Sequence, residues 1–367
     1  MNVLLPKAPS LGISTIQTRV RETLSRYSFH RKRVLLLCED QTRNAPANVV
    51  YPLIEEAVHA DSPLEFRVLF ATGMHRPLTG SEVSRKLSIL PASWQSHDPR
   101  LTRNDVNPLV ERADVIIGIS TTAPHAVAGF SGGAKLLCPG VSSRRLVMYT
   151  HQSASSTSIG KSSNGARQFI DNLEAELDRE KISLNFVMND GEPIALCAGT
   201  FPDAHKGAVS YSCLYHIQRL PRLDGVIAHV PPRYSDVWQA IKAVYHTQSV
   251  VRDHGTLVIT GKFSEGLGPL RQYLVSGYAK IMAPLLPYIP SWVHPSLAAS
   301  QRMIRGVTDR INVYICSDEL HGCEWKFLRR FHVYRMCAGE IEQMRTQPHY
   351  ELHDAINRAL LAKENAQ

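Results

Sequence analysis

The chain has no CxxC pair and no even set of cysteines. Its seven cysteines, Cys38, Cys138, Cys197, Cys213, Cys316, Cys323 and Cys337, lie far apart. None has metal-binding spacing, and the usage fits a reducing compartment. An uninterrupted apolar run long enough for a bilayer is also missing, because the most apolar late region, 278–293, is broken by Pro284, Pro287 and Pro290. The opening MNVLLPKAPSLGISTIQTR has too short an apolar run for a secretory signal and no small-residue cleavage site after it. A cytoplasmic protein with no membrane partner is therefore expected. Basic residues exceed acidic ones, giving a net charge of +8 and a pI near 9.1, but no basic stripe or aromatic platform accompanies them. That balance suits small acidic molecules and argues against nucleic acid. No internal repeat or low-complexity tract appears.

Two nucleotide signatures are absent as well. Gly132-Gly133-Ala134-Lys135 is followed by Leu136, where a Walker A loop needs Ser or Thr to hold magnesium, and no GxGxxG opens the first helix. Kinases, ATPases and standard nicotinamide dehydrogenases are thereby disfavoured.

What is present is a 367-residue chain with 44% hydrophobic and 20% charged residues, enough for two cores. Residues 33–40 (RVLLLCED) read as a buried parallel strand ending in acids. A helix over 47–60, strands at 65–71 and 114–120, and a helix over 80–90 follow in alternation, which predicts a doubly wound sheet. A Ser/Gly-rich loop at 152–165, a helix over 166–180 and a strand at 185–189 continue the first half. The pattern restarts with strands at 224–230 and 256–260 around a long helix over 235–253. Further on come a helix over 269–283, a Pro-rich connection, a strand at 312–316 and a C-terminal helix over 351–362. The expected architecture is two α/β domains with mainly parallel sheets, 1–210 and 211–367, with the active site in the cleft between them.

The stretch 121–151 organises the candidate chemistry. It carries His125 and His151 on either side of a glycine-rich turn, Gly129, Ser131, Gly132 and Gly133, with Lys135 behind it. Small residues with free amides approach an anionic ligand closely, so a cofactor cradle is expected there. Asp40 and Arg43 end the first strand, where ligands of parallel sheets bind, and Arg holds carboxylates through paired hydrogen bonds. His75 follows the second strand after Gly73, and histidine suits proton transfer near neutrality. A lone histidine is more often a structural hydrogen-bonder, and His97-Asp98 lies in a connecting loop. Gln239 and Lys242 share a helical face that ordinarily meets solvent. Two imidazoles facing one ligand would serve a racemase or epimerase. The same His75, His125 and His151 would alternatively make a three-histidine zinc site of a hydrolase, and spacing alone leaves both open.

Taken together, these residues resemble the lactate racemase family. The resemblance is carried by DxTR at 40–43, ATGxHRP at 71–77, PHAVAGFSGGAK at 124–135 with Pro139-Gly140, His151, and Gln239 with Lys242, and it covers roughly residues 30 to 270. It implies a 2-hydroxy acid racemase or epimerase that uses a nickel-pincer nucleotide, the nickel complex of pyridinium-3-thioamide-5-thiocarboxylic acid mononucleotide. On that resemblance Lys135 holds the cofactor covalently, with Ser131, Gly132 and Gly133 beside it, and His151 ligates nickel. His75 and His125 are the general acid/base pair, while Asp40, Arg43, Gln239 and Lys242 bind substrate. The implied chemistry is proton-coupled hydride transfer through a 2-keto intermediate. The implied partners are a small anionic hydroxy acid or polyol and the cofactor-synthesis enzymes, and the chain is expected as a monomer or homodimer. A non-catalytic pincer-nucleotide binding protein is the remaining alternative.

Overall fold

The computed structural model describes residues 8–268 and 295–363, together with Val3, Pro6 and Arg271. The first sheet is assembled from β1 (Arg33–Glu39), β2 (Glu65–Ala71), β3 (Trp94–Ser96), β4 (Val115–Thr121), β7 (Glu180–Asn189) and β8 (Glu192–Gly199) in the order β3-β2-β1-β4-β7-β8. All pairs are parallel except β7 with β8. A short antiparallel hairpin of β5 (Pro124–His125) and β6 (Gly129–Phe130) projects beyond β4.

Helices cover both faces because the central strands are apolar on both. Val34 and Leu36 of β1 pack with Ile16 and Val20 of α1 (Ile13–Leu24), Val50 and Ile54 of α2 (Ala47–Ala60) and Val83 of α3 (Gly80–Leu87). Leu35 and Leu37, one position out of phase, face the opposite layer. There they meet Val110 of α4 (Pro108–Arg112), Leu146 of α5 (Arg144–Gln152), Ile170 of α6 (Gly165–Glu176) and Phe201 of α7 (Phe201–His216). Residue 210 falls inside α7, whose Ala208 packs on Val187 and Ala195 of the first sheet.

β9 (Ile217–Leu220) leads into a second, wholly parallel sheet built from β10 (Leu223–His229), β11 (Val251–Thr260), β12 (Asn312–Cys316), β13 (Val333–Arg335) and β14 (His349–Leu352). Its order is β13-β12-β11-β10-β14, and β15 (Ala359–Ala362) pairs in parallel with β9. The mixed α/β class with mainly parallel sheets is therefore as expected.

Several elements depart from the sequence expectation. The helix over 351–362 is replaced by the end of β14, a turn and β15. Ala-, Leu- and Ile-rich residues suit a helix locally, yet Leu352, Ala355, Ile356 and Leu360 are buried against the second core, and the β9 ladder takes up the backbone. The long helix over 235–253 is broken into α8 (Val237–Ala240), α9 (Lys242–Thr247) and a 3-10 turn, after which Val251 already enters β11. Asp236 caps α8 through Gln239 N at 2.8 Å, fixing a start two residues inside the expected helix. The helix over 166–180 ends at Glu176, and Glu180 opens β7. Unforeseen elements include α1, α4, α5, α7, β3 and β8. The expected helix over 269–283 and its Pro-rich connection lie almost entirely outside the described residues. Among the described residues no helix is long and apolar enough to cross a membrane.

Candidate active site

β1 and β4 are neighbours whose connections leave in opposite directions, so their carboxyl ends open a crevice at the switch point of the sheet. Asp40 and Arg43 follow β1, His75 follows β2, and His125 lies in the hairpin after β4. One cleft is lined by all four together with Lys135, His151, Ser131 and Gly132, and from the other side by Trp238, Lys242, Tyr245 and Ser296. Gln239 lines an adjoining cavity that shares Arg43, His75 and Trp238 with the cleft.

His75 is held on both nitrogens. Nδ1 lies 2.5 Å from Asp40 Oδ2, and Nε2 lies 3.1 Å from Gln239 Nε2, while the ring stands edge-on to Trp238 with centroids 5.2 Å apart. Asp40 is 3% exposed, and its other oxygen accepts from Thr42 N at 3.0 Å and Thr42 Oγ1 at 2.7 Å. Burial works against this carboxylate, but the His75 ring, Thr42 and Arg43 outweigh it and hold it well below the usual carboxylate range. Both Asp40 oxygens thus accept hydrogen bonds within the protein, and Oδ2 holds His75 in place. Lys242 donates to Gln239 Oε1. Its own pKa falls to about 7, through burial first and the neighbouring Arg43 next.

His125 is the second imidazole on the cleft. Its Nδ1 accepts from Val127 N at 3.1 Å and Ala128 N at 3.4 Å, and its Nε2 lies 3.2 Å from Lys135 Nζ. Backbone amides only donate, so the ring proton must sit on Nε2. Lys135 then accepts that proton's hydrogen bond, which only an unprotonated amine can do. The electrostatics agree. Burial first, then Arg43, Arg167 and Lys242, push Lys135 well below the ordinary lysine range, and burial with Lys135 does the same to His125.

His151 sits on the last turn of α5. Its Nδ1 meets the Val147 carbonyl at 2.8 Å, which places the ring proton there and leaves Nε2 as an acceptor, 3.2 Å from Ser296 Oγ. A histidine with its outer nitrogen fixed on a carbonyl is the usual arrangement for metal ligation.

Part of the glycine loop is committed within the fold. Ser131 N donates to Ala123 O and Gly133 N to Ser120 Oγ, so these amides are used internally. Its glycines also serve close packing. Gly132 has φ +81°, and a Cβ there would lie 2.4 Å from Thr122 Oγ1; one on Gly133 would meet His205. His97 is fully buried, with Nε2 on the Ser142 carbonyl and Nδ1 near Asn107, a structural role. Sequence reasoning missed Tyr245, His246, Ser296 and Met303 on the cleft wall, because helical residues of the second half carry no motif of their own.

The three cleft histidines do not form a cluster of their own. Among the described residues, the group whose ligand atoms come within 4.8 Å of one another is His229, Glu351 and His353. The zinc-hydrolase alternative thus gains no support from the geometry.

Fold and site define an α/β protein whose cleft, at the carboxyl ends of the first sheet, gathers three histidines, a buried lysine and an arginine. Residues 97–164 match the lactate racemase N-terminal domain. The lactate racemase of Thermoanaerobacterium thermosaccharolyticum is 24% identical over 267 residues, covering 65% of this chain and 62% of the relative. That of Lactiplantibacillus plantarum is 23% identical over 271 residues, again covering 65% and 62%. The chain thus spans about three-fifths of the length of the curated relatives it matches. In fold it is similar to the lactate racemase apoprotein of T. thermosaccharolyticum, with a TM-score of 0.79, 18% identity and coverage of 97% of this chain and 94% of that one. A Thermotoga maritima protein gives 0.74 at 20% identity, over 98% and 100%. The chain is thus similar to lactate racemases, through the N-terminal domain match at 97–164 and the two curated relatives in sequence and over nearly its whole length in fold.

Proposed function

We propose that this protein is an isomerase, a racemase or epimerase of a small 2-hydroxy acid or related polyol, working with a nickel-pincer nucleotide attached to Lys135. The observation that carries the reading is the shared cleft of His75, His125, His151 and the unprotonated Lys135 amine. The donor set fits such a group. A neutral lysine is a nucleophile for covalent attachment, and His151 offers a neutral Nε2 for nickel with its tautomer fixed by Val147 O. When bound, the pincer nucleotide supplies the acceptance and return of hydride at the substrate carbon.

The chain's residues do the rest. Arg43 and Lys242 bind and orient an anionic carboxylate in a site shielded from water. His75 takes or returns the hydroxyl proton at Nε2, with Asp40 behind Nδ1 balancing the imidazolium. His125 exchanges a proton at its own Nε2 on the opposite hand, as inversion requires. Gln239 holds His75 Nε2 until substrate displaces it. The two-domain division is proposed to fall at the end of α7, so that the N-terminal part carries cofactor attachment and both acid/base histidines.

The test is to produce the chain together with the cofactor-synthesis enzymes, then measure nickel, a covalent mass increase on Lys135, and inversion of chiral 2-hydroxy acids and aldoses. Nickel, the adduct and inversion together are expected. Cofactor retained without any inversion would favour a carrier protein, and neither nickel nor adduct would overturn the reading.

A further inference from the structure

A second cluster of metal-binding side chains stands at the carboxyl edge of the other sheet. β14 pairs with β10 in parallel register, Gly225 with His349, Ile227 with Glu351 and Ala228 with Leu352. Side chains alternate along a strand, so His349 and Glu351 share the face on which Ile227 and His229 stand on β10. His353 follows just past the strand, stacked on His229 with ring centroids 4.4 Å apart and planes 10° from parallel. β11 and β14 flank β10 on opposite sides, which makes this the switch point of the second sheet, the place where open α/β sheets bind ligands.

The polar atoms there are arranged as ligands waiting for an ion. His229 Nδ1 is fixed by Thr260 Oγ1 at 2.7 Å, and its Nε2 is buried with no partner within hydrogen-bonding distance. That Nε2 lies 3.7 Å from Glu351 Oε2. Such a gap is too long for a hydrogen bond and close to the edge, about 3.4 Å, of a tetrahedron whose metal–ligand bonds are about 2.1 Å. Arg345 Nε donates to Glu351 Oε1 at 2.6 Å, so the carboxylate is oriented with Oε2 turned toward His229. One ligand atom from each of His229, Glu351 and His353 lies within 4.8 Å of the others. Burial, and after it the His353 ring, push His229 down toward its neutral, ligating form. Glu351 is held below the ordinary range, burial being outweighed by Arg345. His353 is exposed, which leaves an entry path from solvent.

We propose that His229, Glu351 and His353 bind a divalent metal ion of the zinc class, with water completing the coordination, at a site separate from the cleft histidines. The consequence reaches the cleft through the chain. Asp354, next to His353, pairs with Arg233 at 2.9 Å, and Ile356 lines the cleft itself. An ion holding His353 therefore anchors a segment of the cleft wall.

The test uses the full chain stripped of metal by chelation. Zn²⁺ is titrated by calorimetry, and Co²⁺ serves as a visible probe of tetrahedral ligation. The wild type and His151→Ala, which alters the cleft alone, should each bind Zn²⁺ at this site with equal affinity. His353→Ala and Glu351→Gln should bind at least about 100-fold more weakly. His353 is exposed, so its variant keeps the fold. Absence of Zn²⁺ binding by the wild type, unaltered binding by His353→Ala, or loss of all binding in His151→Ala would each overturn the proposal.

Discussion

Lys135 Nζ lies 3.2 Å from His125 Nε2, and the amides of Val127 and Ala128 on the far ring nitrogen decide the direction of that contact. The ring donates and the amine accepts. A buried lysine that is already neutral imposes no uncompensated charge on the fold. Lys135→Met, close in volume, is thus expected to change unfolding free energy by less than about 1.5 kcal/mol, while abolishing any covalent adduct in protein made with the cofactor-synthesis enzymes. Chemical denaturation and intact mass read the two effects. An adduct that still forms in Lys135→Met would remove Lys135 as the attachment point, and a gain in stability well above that range would show that the wild-type amine is buried with its charge.

Lys242 has a pKa of about 7, lowered by burial first and Arg43 next. It carries charge below that pH and loses it above, so affinity for an anionic 2-hydroxy acid should fall as pH rises through about 7. Stability moves the other way. Between about 7 and the ordinary lysine value of 10.5 the unfolded chain binds the extra proton, so this group makes the folded state more stable as pH rises. Lys242→Met should flatten both trends. Binding titrations and denaturation at several pH values test the opposite signs; a Lys242→Met profile parallel to the wild type would remove the assignment.

Asp40→Asn replaces an acceptor by an amide that can donate to His75 Nδ1, which forces the ring proton onto Nε2 and removes the counter-charge. Turnover of the holo protein should fall by at least about 100-fold, within the range for general acid/base groups. Inversion assays give the rate and nitrogen-15 NMR of the imidazole gives the tautomer. A variant with near wild-type turnover would mean that Asp40 does not serve His75.

How far the site was legible in the sequence depends on where each residue sits. Asp40, His75 and His125 could be found because parallel strands are nearly continuous apolar runs, and the polar residues just beyond them mark the crevice. The role of Asp40 was not legible, since its Oδ2 is taken by a histidine that returns from 35 residues away. The committed amides of the glycine loop likewise come from partners in β4 and the turn after it, Ser120 and Ala123. In the second half the pattern misled. Residues 351–362 have helical composition, but a neighbouring strand at Ile217–Leu220 offers their backbone a ladder, and that competition is settled only in three dimensions.

Gly132 is where the loop behind Lys135 tolerates least. Its φ is +81°, and a Cβ would lie 2.4 Å from Thr122 Oγ1, 2.8 Å from Asn185 Oδ1 and 3.0 Å from the Thr121 carbonyl. These atoms cannot simply move aside, because Thr122 Oγ1 and Ser120 Oγ both donate to Asn185 Oδ1, at 2.9 and 3.1 Å. Gly132→Ala therefore combines left-handed backbone strain with overpacking, together about 2–4 kcal/mol. Gly165, which opens α6, has nothing within 4 Å of the point where a Cβ would stand, and Gly165→Ala should be neutral or slightly stabilising. Denaturant midpoints of the two variants give the comparison directly. Because Lys135 follows three residues later and its amide bonds back to the Gly132 carbonyl at 3.3 Å, the alanine should also move the amine off His125. Equal midpoints for the two variants would show that the loop has freedom the packing around it denies.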